Sequence, residues 1–187
     1  MSSSQEVAKP KKTSTYKQLW SMHWIMAACY LVIFIGGAFM ARLPRELFIR
    51  GPLYDFHKSM GVLTMALLAS RIFYLLRVYW TKYMRRKPKT TGNWIRTFVL
   101  HAFLYLFMLV IPVSGFFFSN SFKSNNVRFF GVTMPDIFPE NSEMVDIGRS
   151  LHFWLGYAFL ALIILHAVDQ WKFMQGFWRR FAKSNNV

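Results

Sequence analysis

The sequence predicts an all-α membrane protein, a bundle of four transmembrane helices, and three observations carry that prediction. Of the 187 residues, 54% are hydrophobic and 19% aromatic, with a mean hydropathy of +0.24. That is too apolar for one soluble domain of this length. The apolar residues gather in four runs, each near the ~20 residues that a helix needs to cross about 30 Å of hydrocarbon. The basic residues, which set a net charge of +15, fall between those runs. Such a charge would suit nucleic acid if it formed one face of a folded domain. Interleaved with apolar runs it reads as membrane topology, so membrane lipid is the expected surrounding and no nucleic-acid partner is expected.

Residues 1–18 are polar and basic and read as a disordered tail. The first span covers about 19–41; it is longer than a signal-peptide core, and Trp20 and Trp24 anchor it at an interface. A short loop with Arg42, Pro44, Arg45, Arg50 and Pro52 follows. The second span, about 54–77, ends in an aromatic and basic collar from Tyr79 to Lys87. The third, about 95–118, contains Pro112, tolerated if a neighbouring helix satisfies the carbonyl it frees. Residues 119–147 form the longest loop, with Pro135, Pro139 and four of the eight acidic residues. The fourth span covers about 149–171. The four-helix domain is taken as residues 19–175, and 176–187 as a basic C-terminal tail.

Lys and Arg set the orientation. The N-terminal tail, the loop between spans two and three and the C-terminal tail hold 15 of them, against 7 on the opposite side. The positive-inside rule places both termini in the cytoplasm. The single cysteine, Cys29, lies within the first run, so no intrachain disulfide or cysteine metal cluster is available.

All five histidines fall inside predicted spans, where ionisable groups are rare and mark function. His152 and His166 lie fourteen positions apart on span four. On a helix the second is about 40° around from the first and about 21 Å further along, one near each side of the membrane. His57 opens span two on the outer side and forms an outer layer with His152. The inner layer has three candidates, His23, His101 and His166. Two stacked layers of neutral imidazole suit two haems b, each held by two histidine ligands to its iron from different helices. Porphyrin is bulky, and HKSMG (57–61) and HFWLG (152–156) each place a glycine four residues after the histidine. Gly36, Gly37 and Gly115 offer further room. Singly, such histidines and glycines also serve ordinary helix packing in membranes; five in two layers make a weak case for packing alone.

MHW (22–24), LHAFLYLFMLVIPVSG (100–115), FFGVTMP (129–135), HFWLGY (152–157) and LH (165–166) resemble the bacterial cytochrome b561 family, small four-helix di-haem cytochromes. The resemblance implies His23 and His166 as inner-haem ligands and His57 and His152 as outer ones. It leaves His101 near the inner haem as a quinone-site residue. It further implies electron transfer across the membrane, with superoxide oxidised at the outer face and ubiquinone reduced near the inner one. Lys58, Arg128 and Arg149 would suit an anion funnel or propionate partners. AVDQWKFMQ after His166 carries Asp169 and no further histidine, which departs from members with a second histidine there. The alternative is an electron-relaying anchor subunit for a peripheral dehydrogenase or other redox partner. A histidine-lined metal-ion path fares worst, because the spans are poor in carboxylates.

Overall fold

The computed structural model describes residues 15–80, 91–171 and 175–176. Four long helices dominate: α1 (Thr15–Met40), α2 (Arg50–Val78), α3 (Gly92–Phe122) and α4 (Val145–Asp169). All four are long and apolar enough to cross a membrane. α1 begins at Thr15, inside the stretch read as a tail, while residues 1–14 and 177–187 of the two tails lie outside the described residues, as does the collar beyond Trp80.

Local chemistry shapes α3 most plainly. Thr91 caps α3, its side chain accepting from the Trp94 amide, which satisfies one of the first-turn donors. Pro112 removes a donor from the interior of α3 and leaves the Met108 carbonyl without its helical partner. The Tyr30 hydroxyl of α1 donates to that carbonyl at 3.2 Å, so the neighbouring helix supplies the compensation that the sequence required.

The loop after α3 is more ordered than its length suggests. It holds a two-stranded antiparallel hairpin, β1 (Arg128–Phe129) with β2 (Val132–Thr133), and a short 3-10 turn at Ser142–Met144. Phe130 and Gly131 take positive φ at the hairpin tip, the conformation that a tight hairpin turn demands. Asn120, with no exposed surface, clamps the loop beneath it. Its Nδ2 donates to Asp136 Oδ1 at 2.6 Å, and its Oδ1 accepts from the amides of Ile137 and Phe138.

Among the four helices, α4 packs closely only against α3, while α1 packs against α2 and α2 bridges to α3. Between α4 and the α1/α2 pair, the backbones stay apart and side chains meet across the gap. That gap contains the histidines.

The histidine layers as candidate functional site

His57 on α2 and His152 on α4 face each other with ring centroids 6.1 Å apart and planes at 87°. The His152 Nδ1 lies 3.1 Å from the Ile111 carbonyl. A carbonyl only accepts, so this contact puts the proton on Nδ1 and leaves Nε2 with its lone pair. Ser114 Oγ donates to the same carbonyl at 2.7 Å and lies 3.0 Å from that ring nitrogen, fixing the ring further. His57 Nδ1 is buried with no hydrogen-bond partner.

Glycines on the facing helices admit these rings. A Cβ at Gly37 would sit 2.9 Å from His57 Cε1, and one at Gly115 would sit 3.1 Å from His152 Cε1. These two glycines are therefore filled by the imidazoles themselves, and do not open the further room expected of them. Gly36, Gly61 and Gly156 have nothing within 4 Å of a built Cβ and border open space. A cavity of about 270 Å³ between α1 and α2 is lined by Gly36 and His57 together with Val32, Ile33, Leu53 and Phe56.

The inner layer gathers all three candidates. His23 on α1 and His166 on α4 have ring centroids 6.2 Å apart at 67°, whereas His101 on α3 approaches His166 at 4.9 Å and 85°. Two imidazoles on opposite sides of one first-row metal ion, each nitrogen about 2.0–2.1 Å from it, have centroids roughly 6 Å apart. His23–His166 and His57–His152 match that separation; His101–His166 is shorter. His101 Nδ1 lies 2.7 Å from its own helix's Thr97 carbonyl, and His166 Nδ1 is buried without a partner. Trp20 stacks on His23 at 5.7 Å and 16°, holding the ring's tilt.

Between the layers lies the small apolar core. Leu100, Leu104 and Phe159 are buried there, packed by Tyr30, Phe107, Met108, Ile111, Leu162 and Ile163. Phe159 falls seven residues from each α4 histidine, so it occupies the same helical stripe midway between them. This apolar cluster stands between the two layers.

These residues fit haem. Two pairs stand at a bridging separation, two buried ring nitrogens lack partners, and α4 does not pack closely against the histidine-bearing α1 and α2. Among the described residues, no group of three or more His, Cys, Asp or Glu is placed to chelate a bare metal ion.

The basic outer rim differs from expectation. Lys58 donates to the Asn126 carbonyl and Oδ1, both at 2.9 Å, and approaches Asp55 at 4.0 Å, so it pins the loop to α2. Arg149 pairs with Asp146 at 3.0 Å. Arg128 is exposed, and its side chain makes no hydrogen bond or ion pair among the described residues. At the inner end, Asp169 forms an ion pair with Arg96. Arg71, absent from the sequence expectations, reaches Tyr105 and Leu19 beside His23. A lone arginine inside an apolar run is the signal that marks it.

Comparison with known proteins agrees with this arrangement. The sequence profile described as prokaryotic cytochrome b561 matches residues 18–170. Cytochrome b561 homolog 2 of Escherichia coli (strain K12) is 25% identical over 154 residues, covering 78% of this chain and 77% of that protein. The chain belongs to the prokaryotic cytochrome b561 family, as a multi-pass protein of the bacterial inner membrane that binds haem b and transfers electrons across the bilayer.

Proposed function

We propose that this chain carries electrons through two haems b, an outer one ligated by His57 and His152 and an inner one by His23 and His166. In this reading superoxide is the outer donor, ubiquinone is reduced near the cytoplasmic side, and both termini are cytoplasmic. The observation that carries the reading is the pair of ring separations, 6.1 and 6.2 Å, on residues fourteen apart along α4. Haem iron, when bound, supplies the one-electron chemistry. The protein supplies neutral imidazoles, their orientation, and an apolar spacer at Phe159. The 4.9 Å approach of His101 to His166 favours His23 as the second inner ligand. His101 then faces the inner site without ligating, which suits a quinone-binding role.

A dithionite-reduced minus oxidised spectrum with haem counted per chain tests the core reading. Two low-spin haems b are expected, with His57→Ala or His152→Ala losing one and His23→Ala or His166→Ala the other. His101→Ala should keep both and slow reduction of quinone. Protein made with ample haem that binds none sinks the reading. Superoxide is tested by stopped flow: no haem reduction by a superoxide pulse removes that donor.

One observation favours a second reading of the donor. Two of the three basic residues suited to guiding an anion are already engaged, Lys58 by Asn126 and Arg149 by Asp146, whereas the hairpin tip exposes Phe130 and Val132 beside Arg128. An apolar tip with one cation suits a docked redox protein, making the chain a relay or anchor subunit. A stable partner on co-purification, with no superoxide activity in the isolated chain, would select that reading.

A further inference from the structure

α2 carries a second pattern, interleaved with its histidine. Arg50, His57, Thr64 and Arg71 recur every seven residues. A helix drifts only about 20° per heptad, so they form one stripe. From Arg50 to Arg71 is 21 residues, which at 1.5 Å each is roughly 31 Å, close to the thickness of the hydrocarbon layer. One guanidinium thus stands at each end of the span. Arg50 lies one heptad outward of His57, and Arg71 reaches the Leu19 carbonyl, one turn before His23 on α1.

Neither arginine has a carboxylate. Among the described residues Lys58 pairs with Asp55, Arg96 with Asp169 and Arg149 with Asp146, and no recorded ion pair includes Arg50 or Arg71. Arg71 Nε donates to the Tyr105 hydroxyl at 2.7 Å and Nη1 to the Leu19 carbonyl at 3.0 Å, while Nη2 has no partner among the described residues. Neutral groups from α1 and α3 therefore hold the side chain still and leave its charge uncompensated, within electrostatic reach of His23. Arg50 is held more loosely, by Tyr54 one turn along its own helix. Nη2 donates weakly to the Tyr54 hydroxyl at 3.4 Å, the guanidinium lies 5.3 Å from that ring's centroid, and Nε is buried with no partner. A partly buried cation in a membrane protein needs an anion nearby, and a guanidinium's planar fork suits a carboxylate best.

We propose that Arg71 and Arg50 bind the propionate carboxylates of the inner and outer haem, respectively. The proposal rests on the two-haem reading above. It explains why these two arginines lack internal carboxylates when Arg96 and Arg149 have them. It also gives Tyr105 a role as the positioning residue for Arg71.

The test uses full-length protein whose haem carries ¹³C-labelled propionate carboxylates, studied by redox titration and redox-difference infrared spectroscopy. His57→Ala and His166→Ala assign each potential to its layer. Removing a cation beside a propionate leaves negative charge near the iron, which favours the ferric form. Arg71→Gln should therefore lower the inner midpoint potential and shift a ¹³C-sensitive carboxylate band, leaving the outer haem unchanged. Arg50→Gln should do the converse. Tyr105→Phe should give a smaller inner shift in the same direction. Arg71→Lys keeps the charge without the fork, so it should move the band while retaining most of the potential; it also serves if the Gln variant folds poorly. Shifted potentials with an unmoved ¹³C band would point to an anionic phospholipid on the arginine and overturn the proposal. Two haems with unmoved potentials overturn it alone, whereas a wild-type chain with fewer than two haems overturns the parent reading with it.

Discussion

In the two-haem reading proposed above, Gly37→Ala is a one-methyl perturbation aimed at the outer haem from the opposite helix. The added Cβ would stand 2.9 Å from His57 Cε1, whereas carbon atoms in good contact keep about 3.5–4.0 Å. The ring must therefore retreat by roughly 0.6–1.1 Å, beyond the ~0.5 Å within which a ligand set keeps its geometry. Overpacking of this kind costs about 1–3 kcal/mol. If all of it falls on the ligated state, outer-haem affinity drops roughly 5- to 150-fold, at 1.4 kcal/mol per tenfold. Gly36→Ala is the built-in control, because a Cβ there meets nothing within 4 Å. Both substitutions gain about the same from helix propensity, so their difference isolates the clash. The assay is haem per chain by pyridine haemochrome after graded dilution, with the two haems resolved by redox titration. Gly37→Ala should lose the outer haem selectively, and Gly36→Ala should keep both. Equal behaviour of the two variants would refute the claim that the Gly37 gap exists for the His57 ring.

Three further predictions follow from the supports around the site. Tyr30→Phe orphans the Met108 carbonyl that Pro112 leaves without a helical donor, costing roughly 1–3 kcal/mol of stability. The added change Pro112→Ala restores an N–H, so the double variant should recover most of that loss; additive losses in denaturant unfolding would contradict the account. Asn120→Ala leaves the Ile137 and Phe138 amides without their acceptor. It should lower the melting point at about 1–3 kcal/mol per orphaned donor, and unchanged melting would show that the clamp is dispensable. At Glu140, the Ser124 amide and then its hydroxyl donate to the carboxylate and hold its pKa below the usual carboxylate value. A depressed folded pKa contributes stability above the unfolded value and loses it as pH falls through the folded one. The protection of the Ser124 amide, measured as its exchange relative to the intrinsic rate at the same pH, should therefore fall on acidification below the ordinary carboxylate range. Glu140→Gln should remove that pH dependence; its persistence would assign it to another group.

Much of this protein is legible along single helices. The four spans follow from hydropathy and length. The two-layer arrangement follows from the fourteen-residue spacing of His152 and His166, since repeats along one helix are local geometry. The compensation of Pro112 by a neighbour also follows, because membrane interiors offer no water to satisfy a bare carbonyl. The hairpin at Arg128–Thr133 did not announce itself, as two-residue strands leave almost no periodicity to read.

What only the tertiary structure decided concerns relations between helices. His23, His101 and His166 are equivalent candidates by depth. Helix azimuth and packing set one pair at 6.2 Å and another at 4.9 Å. Gly61 and Gly156 attract notice because they sit one turn from a histidine, yet Gly37 and Gly115, on other helices, are the ones that receive the rings. Lys58 looks like a free outer cation in the sequence, and only the folded loop brings Asn126 to it. Spacing along a chain fixes height in the bilayer, whereas the face a side chain meets depends on how helices distant in sequence rotate and pack.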